Sequence, residues 1–194
     1  RKVRHIRDWK IECTDVKAID WTPFNGQLDL VAGGPPCQPF SIGGKHKGHG
    51  DARDMWPEAI RAVWETLPRG FLFENVRGLA RESFAEYLRW IVAYLSNPEV
   101  VRGEGESHVE HLVRLEGSPV QPLYEVKVIK VNAADYGAPQ KRNRVIVAGV
   151  RRDLNIDFAD PVPTHSRDRL LWDQWVTGDY WNRHGLSAPD EASI

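Results

Sequence analysis

Apolar positions along this chain fall into two rhythms that alternate. Residues 28–32, LDLVA, are a short β-leaning run halted by Gly33-Gly34-Pro35-Pro36, which predicts a strand ending in a loop. Ile60, Val63, Trp64 and Leu67 then recur at helical spacing, with Pro57 tolerable in the first turn and Pro68 marking the stop. FLFENV, residues 71–76, is another apolar run of the kind buried on both faces of a parallel sheet, and it breaks into polarity at Glu74-Asn75. A second helical stripe, Phe84, Leu88, Ile91, Val92 and Leu95, ends near Asn97-Pro98.

Strand, helix, strand, helix predicts an α/β fold. Residues 96–122, rich in Gly, Pro, Ser and charge, read as an irregular insertion. YEVKVIKVNA (124–133) and RVIVAGV (144–150) flank DYGAPQKRN and predict a hairpin-like pair at one sheet edge. After Asp160 the chain turns polar, PVPTHSRDR, and then Trp-rich; this tail either packs its aromatics on the domain as helix or opens another domain.

Composition narrows the class without naming a chemistry. With 194 residues, 41% hydrophobic and 27% charged, the chain is an ordinary globular sequence with room for a core. No apolar run reaches membrane-spanning length and no targeting segment is visible, so the default expectation is cytoplasmic. Two cysteines, Cys13 and Cys37, make neither a disulfide framework nor a zinc spacing. A net charge of −1 confines any nucleic-acid contact to local basic patches. His108 and His111 stand three apart with no third ligand in view, so no metal is expected.

Three polar loops interrupt the apolar segments: PPCQPFS, FENV and QKRNR. In an open parallel sheet ligands gather beyond the carboxyl ends of strands, where the first two lie. There a thiolate from Cys37 could attack an electron-poor carbon while Glu74 hydrogen-bonds or protonates a ring nitrogen. Arg142 and Arg144 would place positive charge beside the thiolate. Each has a plainer reading. A free cysteine is usually a small buried hydrophobe, a strand-end glutamate a solvated terminus, and paired basic residues an edge guard. The prolines around Cys37 favour presentation of its side chain over core filling.

Together the loops resemble those of the DNA (cytosine-5)-methyltransferases, in which a PCQ loop, an ENV strand end and a QxRxR motif occur in this order. Here they are Pro36-Cys37-Gln38, Glu74-Asn75-Val76 and Gln140-Lys141-Arg142-Asn143-Arg144, and the likeness extends over residues 12–163. The resemblance implies a Rossmann-like methyltransferase fold, mostly parallel with an antiparallel edge pair. It implies Cys37, Glu74, Arg142 and Arg144 as catalytic residues, and S-adenosylmethionine near Asp15, Val16 and Pro36. It implies a cytosine flipped from duplex DNA, with Gln38, Ser41, Lys45 and Arg53 as DNA contacts. A monomer is expected, and a restriction endonuclease partner is compatible with the resemblance.

The sequence departs from the family in one respect that matters: no glycine-rich FxGxG turn precedes the PCQ loop. The expectation is therefore an N-terminally truncated catalytic domain over residues 1–163, with 164–194 leading into a missing target-recognition region. Such a piece should be inactive alone. A catalytically silent DNA-binding relative, or an RNA cytosine methyltransferase on the same scaffold, are the alternatives.

Overall fold

A computed structural model describes residues 10–36 and 54–190. Strands β1 (Leu30–Gly33), β2 (Gly70–Val76), β3 (Tyr124–Asn132) and β4 (Asn143–Arg151) lie in the order β1-β2-β4-β3. β2 runs parallel to β1 and antiparallel to β4, and β4 is antiparallel to β3. β1, β2 and β3 therefore point one way and β4 opposes them. This is the expected mostly parallel α/β sheet, with the hairpin-like pair at its edge.

Alternation along β2 sends Phe71, Phe73 and Asn75 to one side, where they are buried, and Leu72, Glu74 and Val76 to the other. The buried side is covered by α1 (Trp56–Thr66) and α2 (Ala85–Ser96), which contribute Trp56, Ile60, Val63, Tyr87, Trp90, Ile91 and Leu95 to the core. Trp56 meets Phe73 edge-on at 5.8 Å, and Phe71 lies 5.3 Å from Tyr124. Burying each such ring stabilises the fold by about 1.5–3 kcal/mol. The opposite side leaves Leu30 58% and Leu72 42% exposed.

α1 stops where the proline predicts. Leu67, before Pro68, takes a left-handed conformation at φ 45, and Arg151 Nη1 donates to its carbonyl at 2.8 Å.

The stretch expected to be irregular instead holds α3 (His108–Glu116), so that expectation is corrected. Ser107 and Glu110 form a reciprocal capping box, and Leu112 and Leu115 pack into the core. His111 is fully buried. Trp90 Nε1 can only donate, and it reaches His111 Nδ1 at 3.2 Å; the ring proton therefore sits on Nε2 and is donated to the Val100 carbonyl at 2.6 Å. Burial holds the His111 pKa below the ordinary histidine value, with repulsion from Arg114 and Arg102 added and with the Val100 carbonyl and Glu106 opposing.

The tail forms a small helical hairpin, α4 (Arg167–Trp175) and α5 (Asp179–His184). Asp173 pairs with Arg169 at 2.8 Å, and Trp181 Nε1 donates to the Gln174 carbonyl at 2.8 Å. Trp172 and Trp175 remain about half exposed, so the tail is helical without burying these rings on the sheet domain.

Two outcomes follow from this packing. A Cβ at Gly149 would lie 2.2 Å from the Phe71 ring, and Gly149→Ala should cost about 1–3 kcal/mol by urea denaturation. Because His111 titrates lower when folded, the unfolded chain binds more protons on acidification; stability should be full above about pH 6.5 and fall as pH drops through that value. His111→Gln keeps a donor and an acceptor but cannot titrate, so its unfolding free energy should lose that part of the acid slope. Superimposable slopes would refute the assignment.

Candidate active site

β1 and β2, being parallel, end at the same rim of the sheet, and β4, being antiparallel to β2, begins there. The register places Gly33 opposite Phe73 and Arg144 opposite Val76. Topology thus gathers at one edge the second and third polar loops and the described start of the first, Pro35-Pro36.

Glu74 faces Ile146 across the ladder, and Arg144 is two residues from Ile146, so both charged side chains share the face opposite α1 and α2 as diagonal neighbours. Arg144 Nε donates to Glu74 Oε1, and Arg144 Nη1 donates to the Asn143 carbonyl at 2.8 Å. The Glu74 side chain is 43% exposed and that of Arg144 22%. The second carboxylate oxygen faces the loop after β1: a Cβ on Gly34 would lie 3.7 Å from Glu74 Oε2. One oxygen is therefore oriented by a fixed cation while the other looks toward the polypeptide that leads to Cys37.

Asn75 sits on the opposite face, 3% exposed. Its Nδ2 donates to the Pro35 carbonyl at 3.0 Å and its Oδ1 accepts from the Val76 amide at 2.8 Å. The carboxamide ties the loop after β1 to the end of β2.

Arg142 lies just before β4. Its backbone amide donates to Asn132 Oδ1 at 3.1 Å, and its carbonyl accepts from Ala133 at 3.0 Å. Its side chain is exposed and bonds to nothing among the described residues, so the structure brings Arg144 to Glu74 but not Arg142. In the same loop Gly137 has φ +92, and a Cβ there would meet the His165 ring at 2.9 Å. Only glycine suits both the conformation and the space.

Asp15 is exposed and accepts from the Lys17 amide at 3.0 Å, capping a short 3-10 turn; Val16 is half-buried and Pro36 exposed. Sequence reading missed the residue that holds this turn. Arg61 of α1 donates to the Val16 carbonyl at 2.9 Å and the Ile19 carbonyl at 3.0 Å, while Glu58 and Glu65 bind it from one turn before and one turn after. The Glu58, Arg61, Glu65 spacing was legible as a helix-face pair, but its target was not.

Among the described residues these three offer a methyl-donor cofactor one carboxylate acceptor and two apolar contacts, with no cradle for a ribose or an amino-acid group. They do not make the site by themselves. Cys37, Gln38, Ser41, Lys45 and Arg53 lie outside the described residues. Among the described residues no group of three or more His, Cys, Asp or Glu side chains could hold a metal ion, and no helix is long and apolar enough to cross a membrane.

A family model for the C-5 cytosine-specific DNA methylase matches residues 4–98 and 120–174. The chain belongs to that family. It is 39% identical over 140 residues to the type II methyltransferase M.AquIA of Picosynechococcus, covering 72% of this chain and 49% of that protein. It is 32% identical over 181 residues to the type II methyltransferase M.NgoMIV of Neisseria gonorrhoeae, covering 91% and 50%. The chain thus spans about half the length of these curated relatives. A solved structure, the methyltransferase EhMeth of Entamoeba histolytica, is 16% identical over 81% of this chain and 43% of its own, with a TM-score of 0.46. Membership implies S-adenosylmethionine as the family's methyl donor and DNA as its substrate. The unmatched stretch between residues 98 and 120 is where α3 stands.

The Glu74–Arg144 pair is partly exposed, so its net contribution to stability should be under about 1 kcal/mol. Glu74→Gln and Arg144→Met should therefore leave the urea midpoint nearly unmoved. A loss of several kcal/mol in either would mark the pair as structural.

Proposed function

We propose that this chain is the catalytic-loop portion of a DNA (cytosine-5)-methyltransferase. The observation that carries the reading is the rim itself: Glu74, oriented by Arg144, has its free oxygen toward a backbone that Asn75 holds at Pro35. Successive Cα atoms are about 3.8 Å apart, so the Cα of Cys37 lies within about 7–8 Å of that of Pro35. The proposal requires the thiol and the acid to reach one planar base.

Cytosine C5 is a poor nucleophile. In the proposed reaction the Cys37 thiolate adds to C6, forming an S–C6 bond and giving C5 enamine character, while Glu74 hydrogen-bonds N3 and the exocyclic amine and offsets the charge that develops. Arg144 orients Glu74 and reaches toward the base carbonyl. S-adenosylmethionine, when bound, supplies the methyl group to C5; Asp15, Val16 and Pro36 contribute one side of its pocket. Loss of the C5 proton and expulsion of the sulfur complete the cycle. The base must leave the duplex stack, at a cost of a few kcal/mol that Gln38, Ser41, Lys45 and Arg53 help to offset.

Residues 1–194 alone are expected to bind the cofactor weakly and to be inactive. Two facts support this: no glycine-rich turn occurs before Cys37, and Leu30 and Leu72, on the sheet face opposite α1 and α2, are exposed.

The test uses the protein that carries this chain at the length of its relatives, with duplex DNA containing 5-fluorocytosine, whose fluorine cannot leave as a proton does. A covalent adduct that survives denaturing electrophoresis is expected. It should vanish in Cys37→Ser and form on the order of 10²–10⁴-fold more slowly in Glu74→Gln. An adduct that persists in Cys37→Ser, or one that forms on fluorinated RNA and not on DNA, would overturn the proposal.

A further inference from the structure

We infer that Asn75 is a positioning residue for the thiol addition, setting where Cys37 meets the base by holding the Pro35 carbonyl; the inference rests on the function proposed above. Asn75 points to the apolar helix side of β2, where Phe73 precedes it on the same face and the buried Val145 stands opposite. An aliphatic side chain would fill that place without the cost of burying a carboxamide, which is tolerable only because both polar ends are bonded. What those bonds connect is specific. Oδ1 takes the Val76 amide at the end of β2, beside Glu74; Nδ2 takes Pro35 O. Pro35 and Pro36 have no N–H, so no amide of theirs can anchor the chain before Cys37. The Pro35 carbonyl is the group that Asn75 takes instead. One side chain therefore locks the strand end that carries the acid to the segment that carries the nucleophile. A misplacement of about 1 Å between reacting groups costs on the order of 100-fold in rate.

Replacing the carboxamide by a carboxyl separates this role from packing. Asn75→Asp is nearly isosteric; ionised, it turns an oxygen toward the Pro35 carbonyl and loses the bridge, whereas protonated it donates an O–H and restores it. The charged groups around it are Glu74 beside it and Arg77 two residues on along its own segment, and Arg144 on β4; burial and Glu74 favour the protonated form, and the arginines oppose it. Asn75→Ser, too short to span both partners, has no such rescue.

The experiment measures the rate of adduct formation on 5-fluorocytosine duplex DNA across a pH series, with DNA affinity and thermal melting followed in parallel, in the relative-length protein and both variants. At alkaline pH both variants should trap the DNA on the order of 10–100-fold more slowly than the parent, with duplex affinity little changed. On acidification the deficit of Asn75→Asp relative to the parent should shrink, and that of Asn75→Ser should not. Trapping by Asn75→Asp at the parent's rate throughout, or a pH-independent deficit that tracks melting or DNA affinity in both variants, would overturn the inference while leaving the function standing. A parent that forms no adduct would instead remove the proposed function, and this inference with it.

Discussion

Strand β2 has period two, and the arrangement at the rim depends on which residues that period assigns to each face. Phe71 and Phe73 must reach the aromatic core, which commits Asn75 to the same buried side and Glu74 to the open one. A slip of one residue would bury the carboxylate among apolar rings and turn the carboxamide to solvent. The phenylalanines, by fixing the register of β2, also fix the direction in which the acid looks. Antiparallel pairing then adds Arg144 on the same face, because residues two apart across a ladder share a side.

Magnitudes separate what holds the rim from what works there. Each buried ring contributes about 1.5–3 kcal/mol, and the core holds several, whereas a partly exposed ion pair contributes about 0–1 kcal/mol. Glu74 and Arg144 can therefore exchange each other for a ligand without endangering the sheet. Asn75 differs in kind: it is buried, and breaking either of its bonds leaves a polar group unsatisfied at about 1–3 kcal/mol.

Much of this was legible in the residues. Both helical stripes and all four strands appear within a residue or two of their predicted bounds, because Gly33-Gly34-Pro35-Pro36, Pro68 and Asn97-Pro98 punctuate them. The Glu74 and Arg144 pairing was legible only as motif order, since it needs the strand order β1-β2-β4. α3 escaped because Gly, Ser and charge around it mask its apolar stripe, although Ser107 and Glu110 are spaced as a capping box. Asn75 was read as part of a motif and not as a bridge, because its partner is a backbone carbonyl forty positions away, and composition carries no trace of such a bond.

The two flanks of the segment from 37 to 53 are held by the same layer of the molecule. Before it, Pro35 is tied to β2 by Asn75; after it, Asp54 accepts from the Tyr87 hydroxyl and from the Trp56 amide at 3.1 Å. Tyr87 is 2% exposed and its ring stacks on Trp90 at 5.3 Å, the indole whose N–H goes to His111. On the core elements, the side chains that make these two contacts, Asn75 and Tyr87, are both buried. α3, which the family model leaves unmatched, packs against α2 in this anchoring layer, on the sheet side opposite Glu74 and Arg144. The chemistry proposed for the rim is thus compatible with variation behind it, provided that whatever packs there keeps Trp90 and Tyr87 in place.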